Sequence, residues 1–290
     1  MKILRLALLL PVIMLFSIMF SAPFTGCTKK SIMDTVFITH DSAVYVHDTT
    51  RIHDTIFDIT SGLVAYYNFN GGNLNDSSGY KNNIVFNNAS PTKDRNGKDN
   101  NAYLFDGATS YMRVTNSASL NPDNITLYAI IKVNGFWPGY SVDHGNFVLV
   151  KGWDQAVGMY IMQFSDFPTS TGAPDTQHEW FEGGYGDNPS NNGNAVGAGS
   201  PTNYVVAGTW YKLAFTYDGV TAKFYINGAL VSSVTKSAVF TDNTTDLLIG
   251  KNGDPSGLYP NWFNGVIDEI RIYNRALPQQ AITQLINVAN

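Results

Sequence analysis

Residues 210–234 read WYKLAFTYDGVTAKFYINGALVSSV. Side chains in an extended strand alternate between the two faces. Leu213, Phe215 and Tyr217 therefore share one face, with Ala214 and Thr216 on the other, and Phe224 and Ile226 oppose Lys223 and Tyr225. Two breaks interrupt the pattern, at Tyr217-Asp218-Gly219 and Ile226-Asn227-Gly228. Asp-Gly and Asn-Gly supply the positive φ that tight hairpins require. The stretch thus predicts three consecutive antiparallel strands with one apolar face.

The same grammar extends outward. GLVAYYNFN from Gly62, NAYLFDGATSYMRV from Asn101, ITLYAIIKV from Ile125, NFVLVKGW from Asn146, GMYIMQF from Gly158, DLLIGK from Asp246 and VIDEIRIYNRAL from Val266 are short β-rich runs. Turn clusters such as GGNLNDSSGYKNN separate them. Strands at this spacing predict an all-β sandwich or barrel. Only PQQAITQLINVAN, residues 278–290, has helical spacing, with Ala281, Ile282, Leu285 and Ile286 on one side. That helix is expected to seal a sheet edge or end.

Charged residues make up 14% of the chain, the formal net charge is -5, and Lys and Arg form no cluster. Phosphate binding needs such clusters, so nucleic acid is excluded as a partner. The abundance of Asn, Gly, Ser, Thr and aromatic residues fits an exported β protein with loop-borne binding.

The amino-terminal segment MKILRLALLLPVIMLFSIMFSAPFTGC pairs Lys2 and Arg5 with an apolar run and small residues before Cys27, the single cysteine. Residues 1–26 are expected to be a signal peptide. Phe24-Thr25-Gly26-Cys27 resembles a bacterial lipoprotein box, which implies acylation of Cys27 and attachment by lipid without a spanning helix. The position after Cys27 is Thr28, not Asp, which favours the outer membrane of the cell envelope.

Residues 27–60 lack Pro, are rich in β-branched residues and Asp, and read as an extended stalk. Four Asp-hydroxyl-aliphatic triplets recur there, at Thr35, Ser42, Thr49 and Thr55. They resemble the O-glycosylation acceptors of Bacteroides-like bacteria; a spacer without modification is the alternative. The folded domain is expected over residues 61–290.

GLVAYYNFNGGNLNDSSGYKNN, NAYLFDGATSYMRV, TWYKLAFTYDGVTAKFYINGALV, LLIGKNG and FNGVIDEIRIYNRALPQQAI occur in this order. Together they resemble a laminin-G-like domain of the concanavalin A-like lectin/glucanase superfamily. The resemblance implies a jelly roll of two antiparallel sheets with the site on a concave face or rim. It also implies first and last strands side by side, often joined by calcium. Asp76 and Asp268 are the expected ligands of one structural Ca2+, against an Asx turn at Asp76 and a capped Asp268. Asp106 and Asp218 read as turn residues.

Glucanases of that superfamily carry alternating acids on one strand, which this chain lacks. Glu179 and Glu182, and Asp268 and Glu269, are expected to point to opposite faces, and neither His144 nor His178 adjoins a nucleophile turn. No catalytic residue is assigned. A long Gly/Asn/Pro-rich segment runs between Phe164 and Tyr204, and such loops are uncommon without a function. Trp137, Tyr140, Trp153, Trp180, Tyr185, Tyr259 and Trp262 supply rings on which sugar C–H faces pack, with amides nearby for hydroxyls. Trp210 reads as core. The sequence therefore points to a lipid-anchored, non-catalytic, carbohydrate-binding protein, with adhesion to a protein partner or divergent glycoside hydrolysis as alternatives.

Overall fold

The computed structural model describes residues 27–29, 55–136, 145–152, 158–165, 180–187 and 194–288. The signal segment, Thr35, Ser42, Thr49, Trp137, Tyr140, His144, Trp153, His178 and Glu179 lie outside the described residues. The chain divides into two compact units, Met1–Ile56 and Phe57–Asn290. In the first, β1 (Cys27–Lys29) pairs with β2 (Thr55–Phe57), whose end enters the second unit.

The second unit is a sandwich of two antiparallel sheets. One has eight strands, seven of them in the order β15 (Ala229–Thr235), β14 (Thr221–Ile226), β13 (Trp210–Tyr217), β8 (Ile125–Gly135), β17 (Asn264–Tyr273), β6 (Ala102–Asp106), β5 (Ser90–Thr92). In addition, β3 (Leu63–Tyr67) pairs with the last residues of β17. The other has seven: β12 (Ala195–Gly199), β11 (Trp180–Gly186), β10 (Met159–Ser165), β9 (Asn146–Lys151), β16 (Leu247–Ile249), β7 (Met112–Val114), β4 (Ile84–Asn87). Inward residues of both sheets, among them Leu213, Phe215, Tyr217, Phe224, Ile226, Tyr160, Met162 and Phe164, form one apolar core. Each large side chain removed from water there contributes about 1.5–3 kcal/mol.

The opening stretch folds as its alternation requires. Ile226 pairs with both Leu213 and Ala229, leaving Asn227 and Gly228 as a two-residue turn at φ 51° and 88°. The other turn differs. Gly219 takes φ 95°, whereas the Asp218 carboxylate accepts the N–H groups of Val220 and Thr221, so this turn is held by its side chain.

Two expectations are corrected. Helix α1 (Gln279–Asn287) covers no sheet edge. Its Ala281, Ile282 and Leu285 pack with Tyr128, Ile130, Ala214, Tyr225 and Tyr273 on the outer face of the eight-stranded sheet, because that face is also apolar. Trp210 lies on this outer face too, half-buried, with Lys132 Nζ 5.6 Å from its ring centre, and so is not core.

Candidate functional site

Strand register lines up a row of side chains across the outer face of the seven-stranded sheet. Glu182 on β11 pairs with Gln163 on β10, which pairs with Phe147 on β9. Beyond Phe147 the row crosses the backbone at Gly250, whose N–H donates to the Val148 carbonyl (3.0 Å) and whose Cβ position faces inward to Phe105, and it reaches Tyr111, the residue before β7. Four strand spacings separate β11 from β7, about 19 Å. Phe147, Val150, Met159 and Ile161, with Leu248, make a small apolar floor separate from the core.

At one end of the row the polar groups are unusual. Gln163 donates its side-chain N–H to Glu182 Oε1, and Trp180 Nε1 donates to Glu182 Oε2 (3.4 Å). Ser165 lies opposite Trp180 on the neighbouring strand. Gln163 Oε1, Ser165 Oγ and Asn261 Oδ1 are buried, and none has a hydrogen-bond partner among the described residues. Leaving such a group unpaired costs about 1–3 kcal/mol, so unpaired polar groups gathered in one place require an explanation. Gly145 lets two of them converge. A Cβ there would lie 2.9 Å from Gln163 Oε1 and 3.0 Å from Asn261 Nδ2.

At the other end sit rings. Phe86 and Tyr111 have centroids 4.6 Å apart, and Tyr111 and Trp262 are 6.1 Å apart at 53°. Lys251 Nζ is 5.0 Å from both the Tyr111 and the Trp262 centroids. The loop carrying Trp262 is fixed from within: Asp254 accepts the Ser256 and Tyr259 N–H groups, and Asn252 donates to the Tyr259 and Pro260 carbonyls. These bonds hold Asp254 below the usual carboxylate range despite the opposing effect of burial.

Of the rings expected to contact ligand, the structure brings Trp180 and Trp262 to this face and leaves Tyr259 exposed on the loop. Tyr185 is corrected to a core residue. Outward positions on β11 are Trp180 and Glu182, so Tyr185 points inward, where its ring lies 4.8 Å from those of Phe240 and Tyr217 and its hydroxyl donates to the Pro122 carbonyl (2.7 Å). Sequence reasoning missed Gln163, Ser165, Asn261, Phe86, Tyr111 and Lys251. The first two had a legible signal, since polar residues at alternate positions oppose Tyr160, Met162 and Phe164.

The carboxylates of Asp76 and Asp268 are each engaged by protein donors. First and last strands are indeed neighbours, but Asp76 caps the edge of β3, accepting from Tyr66 N, Ser78 N, Ser78 Oγ and Asn82 N at 2.7–3.0 Å. Asp268 Oδ2 accepts from both Arg95 Nη1 (2.7 Å) and the Arg95 backbone N–H (3.2 Å). A calcium ion there would have to displace a guanidinium. Among the described residues no group of three or more His, Cys, Asp or Glu side chains is arranged to hold a metal. Asp106 and Asp218 are turn acceptors, as expected.

The expected opposition of Asp268 and Glu269 is also corrected. Ile267 pairs with Ile131 and Glu269 with Ile130, so Asp268 is an extra residue, a β-bulge. With Ile267 and Ile270 both in the core, the two acids share the outer face of the eight-stranded sheet. Glu269 accepts from Arg271, whose guanidinium also lies 4.2 Å from the Tyr66 ring centre. Burial pushes the Asp268 carboxyl up, against the pull of Arg95. Each acid is thus committed to a guanidinium. Beside them a cleft of about 630 Å³ is lined by residues including Arg95, Asn100, Lys132 and Trp210.

A model of the Laminin_G_3 family, described as "Concanavalin A-like lectin/glucanases superfamily", matches residues 106–283, more than half of the chain. The chain belongs to this family. β3 to β5 precede the matched span yet complete the same two sheets. Among solved structures, domain 4 of AbnA, a GH43 extracellular arabinanase from Geobacillus stearothermophilus in complex with arabinotriose, is similar at 23% identity and a TM-score of 0.52. The similarity covers 78% of this chain and 98% of that one. The binding domain of Paraclostridial Mosquitocidal Protein 1 (16% identity, TM-score 0.58) and that of Botulinum Neurotoxin DC in complex with SialylT (12%, 0.56) are each similar over 79% of this chain. The chain spans 52% of each of those two. At these identities the likeness establishes the fold. No curated protein matches the chain.

Proposed function

We propose that this family member is a non-catalytic carbohydrate-binding module whose ligand lies across the outer face of the seven-stranded sheet. The observation that carries the reading is the set of buried, unpartnered oxygens of Gln163, Ser165 and Asn261. Hydroxyls of a sugar both donate and accept, and would satisfy all three. Trp180 and Trp262 flank them with ring faces, the usual combination of apolar contact and a few placed polar groups in a ligand site. The complexes of two similar structures with arabinotriose and SialylT support a saccharide ligand. The row's length of about 19 Å suits an oligosaccharide.

The amino-terminal segment completes the proposal: a signal peptide over residues 1–26, acylation of Cys27, a stalk O-glycosylated at Thr35, Ser42, Thr49 and Thr55, and lipid anchoring at the outer membrane. Mass spectrometry of the native protein tests each modification.

The test of binding is affinity electrophoresis and a glycan array on residues 57–290, assayed in parallel for released reducing sugar. Binding without release, lost at least tenfold in Trp180→Ala and Trp262→Ala while circular dichroism is unchanged, is the expected result. Sugar release would make the chain a hydrolase. Silence on every glycan, with capture of a protein ligand, would make it an adhesin.

A further inference from the structure

We propose that Lys251 sets the ligand class, making this face a site for glycans that carry a carboxylate, such as uronic acid residues. The inference rests on the carbohydrate reading above. Lys251 Nζ sits in the notch between two inclined rings, 5.0 Å from each. Attraction to two ring faces holds the ammonium in place. Yet it meets no hydrogen-bond acceptor and no carboxylate within 4.0 Å among the described residues. Five other cations of the domain are committed: Arg95 to Asp268, Arg113 to Asp246, Arg271 to Glu269, Lys151 to Asn243 and Thr245, and Lys212 to the Ile286 carbonyl; Lys132 also lies over a ring, but over Trp210 alone. The carboxylate of Asp254 already serves Ser256 and Tyr259.

A half-buried ammonium without a counter-ion is costly to keep charged, and burial accordingly lowers the Lys251 pKa, with Asp254 opposing only at a distance. A ligand anion placed against it would relieve that cost, and a charge-assisted hydrogen bond is about twice as strong as a neutral one. Its position selects the ligand. Lys251 follows Gly250 in the transverse row, beside the rings on which a sugar would stack and on the same face as the unpartnered oxygens. A saccharide lying on Tyr111 and Trp262 would bring a ring substituent to Nζ. One embedded cation on a chain of net charge -5 fits an isolated carboxylate on a largely neutral glycan better than a densely sulfated polymer, which the overall charge would repel.

The test compares wild type, Lys251→Met and Lys251→Arg on glucuronoxylan, partly methyl-esterified pectin, alginate and hyaluronan. Each is used as isolated and after chemical reduction of its carboxylates to alcohols; dextran sulfate is included. The wild type is expected to bind at least one acidic glycan and to lose tenfold or more on its reduced form. Lys251→Met should show the same loss on the acidic glycan and no longer distinguish it from its reduced form, while Lys251→Arg keeps the distinction. Equal binding of acidic and reduced forms, or no change in Lys251→Met, overturns the carboxylate assignment and leaves the carbohydrate reading intact. Binding of dextran sulfate alone overturns it in favour of a sulfate ligand. Binding of no glycan of any kind overturns both. Thermal melts of the variants show whether the fold is retained, and an unfolded Lys251→Met leaves the decision to the carboxyl-reduced glycans on wild type.

Discussion

Ser165→Ala should make the protein more stable and its binding weaker. Ser165 is 1% exposed and its Oγ has no partner among the described residues. A buried hydroxyl without a hydrogen bond costs about 1–3 kcal/mol. Removing it forfeits no bond and opens a void smaller than a methyl group, whose cost stays below about 1 kcal/mol. The net gain is about 1 kcal/mol, which raises Tm by about 2–4 °C in a domain of this size. A sugar hydroxyl that used Oγ would lose a hydrogen bond, so affinity should fall about three- to tenfold. Differential scanning calorimetry and affinity electrophoresis measure the two effects on the same preparation. Destabilisation above 1 kcal/mol would show that Oγ has a partner in the folded protein. Stabilisation with unchanged affinity would show that the hydroxyl is not used by ligand, and would remove one support of the site.

Arg95→Met leaves Asp268 buried without its guanidinium and should cost about 3–5 kcal/mol at neutral pH. Asp268 is already pushed above its ordinary value by burial. In the variant the folded state would hold that proton more tightly than the unfolded state, so stability should recover as pH falls toward 4. The double variant Arg95→Met/Asp268→Leu should regain most of the loss at pH 7. Urea titrations at pH 7 and 4.5 measure both effects, and a pH-independent loss would refute the burial of that charge. Chelation with EDTA should leave Tm and glycan binding unchanged, because Asp76 and Asp268 are saturated by protein donors. A drop of several degrees, reversed by calcium, would restore the expected calcium site.

What was legible in the sequence was whatever depends on period and local turns. Alternation in residues 210–234 placed Leu213, Phe215, Tyr217, Phe224 and Ile226 in the core, and Asn227-Gly228 marked its own hairpin. The same rule, carried along WFEGGYG, would have sent Tyr185 inward; it was assigned to ligand by residue type against its position. The bulge at Asp268 has no such signature. Only the fixed demand that Ile267 and Ile270 both reach the core turns the two acids to one side. Asn261 comes near Gln163, and Tyr111 meets both Trp262 and Lys251, through sheet order, so these pairs join segments from about 100 to 150 residues apart in sequence. Chain-local reasoning does not see such pairs.

The two outer faces of the sandwich differ in how far their polar groups are satisfied, and that difference supports the proposed site. On the eight-stranded sheet, helix α1 covers the apolar half, and Asp268, Glu269, Arg95 and Arg271 pair among themselves. Those charges complete one another, so a ligand arriving there would have to break ion pairs to gain contacts. On the seven-stranded sheet, the amide of Gln163 is only half used, Ser165 and Asn261 offer oxygens to no one, and Lys251 is held by rings instead of a carboxylate. Folding leaves the cost of those groups unrelieved. A surface that binds glycan must keep its hydrogen-bonding groups in place yet unspent until the ligand arrives. The eight-stranded face holds a buried hydroxyl without a partner among the described residues too, Tyr128 Oη, under helix α1, so the seven-stranded face meets that requirement with the larger set of groups.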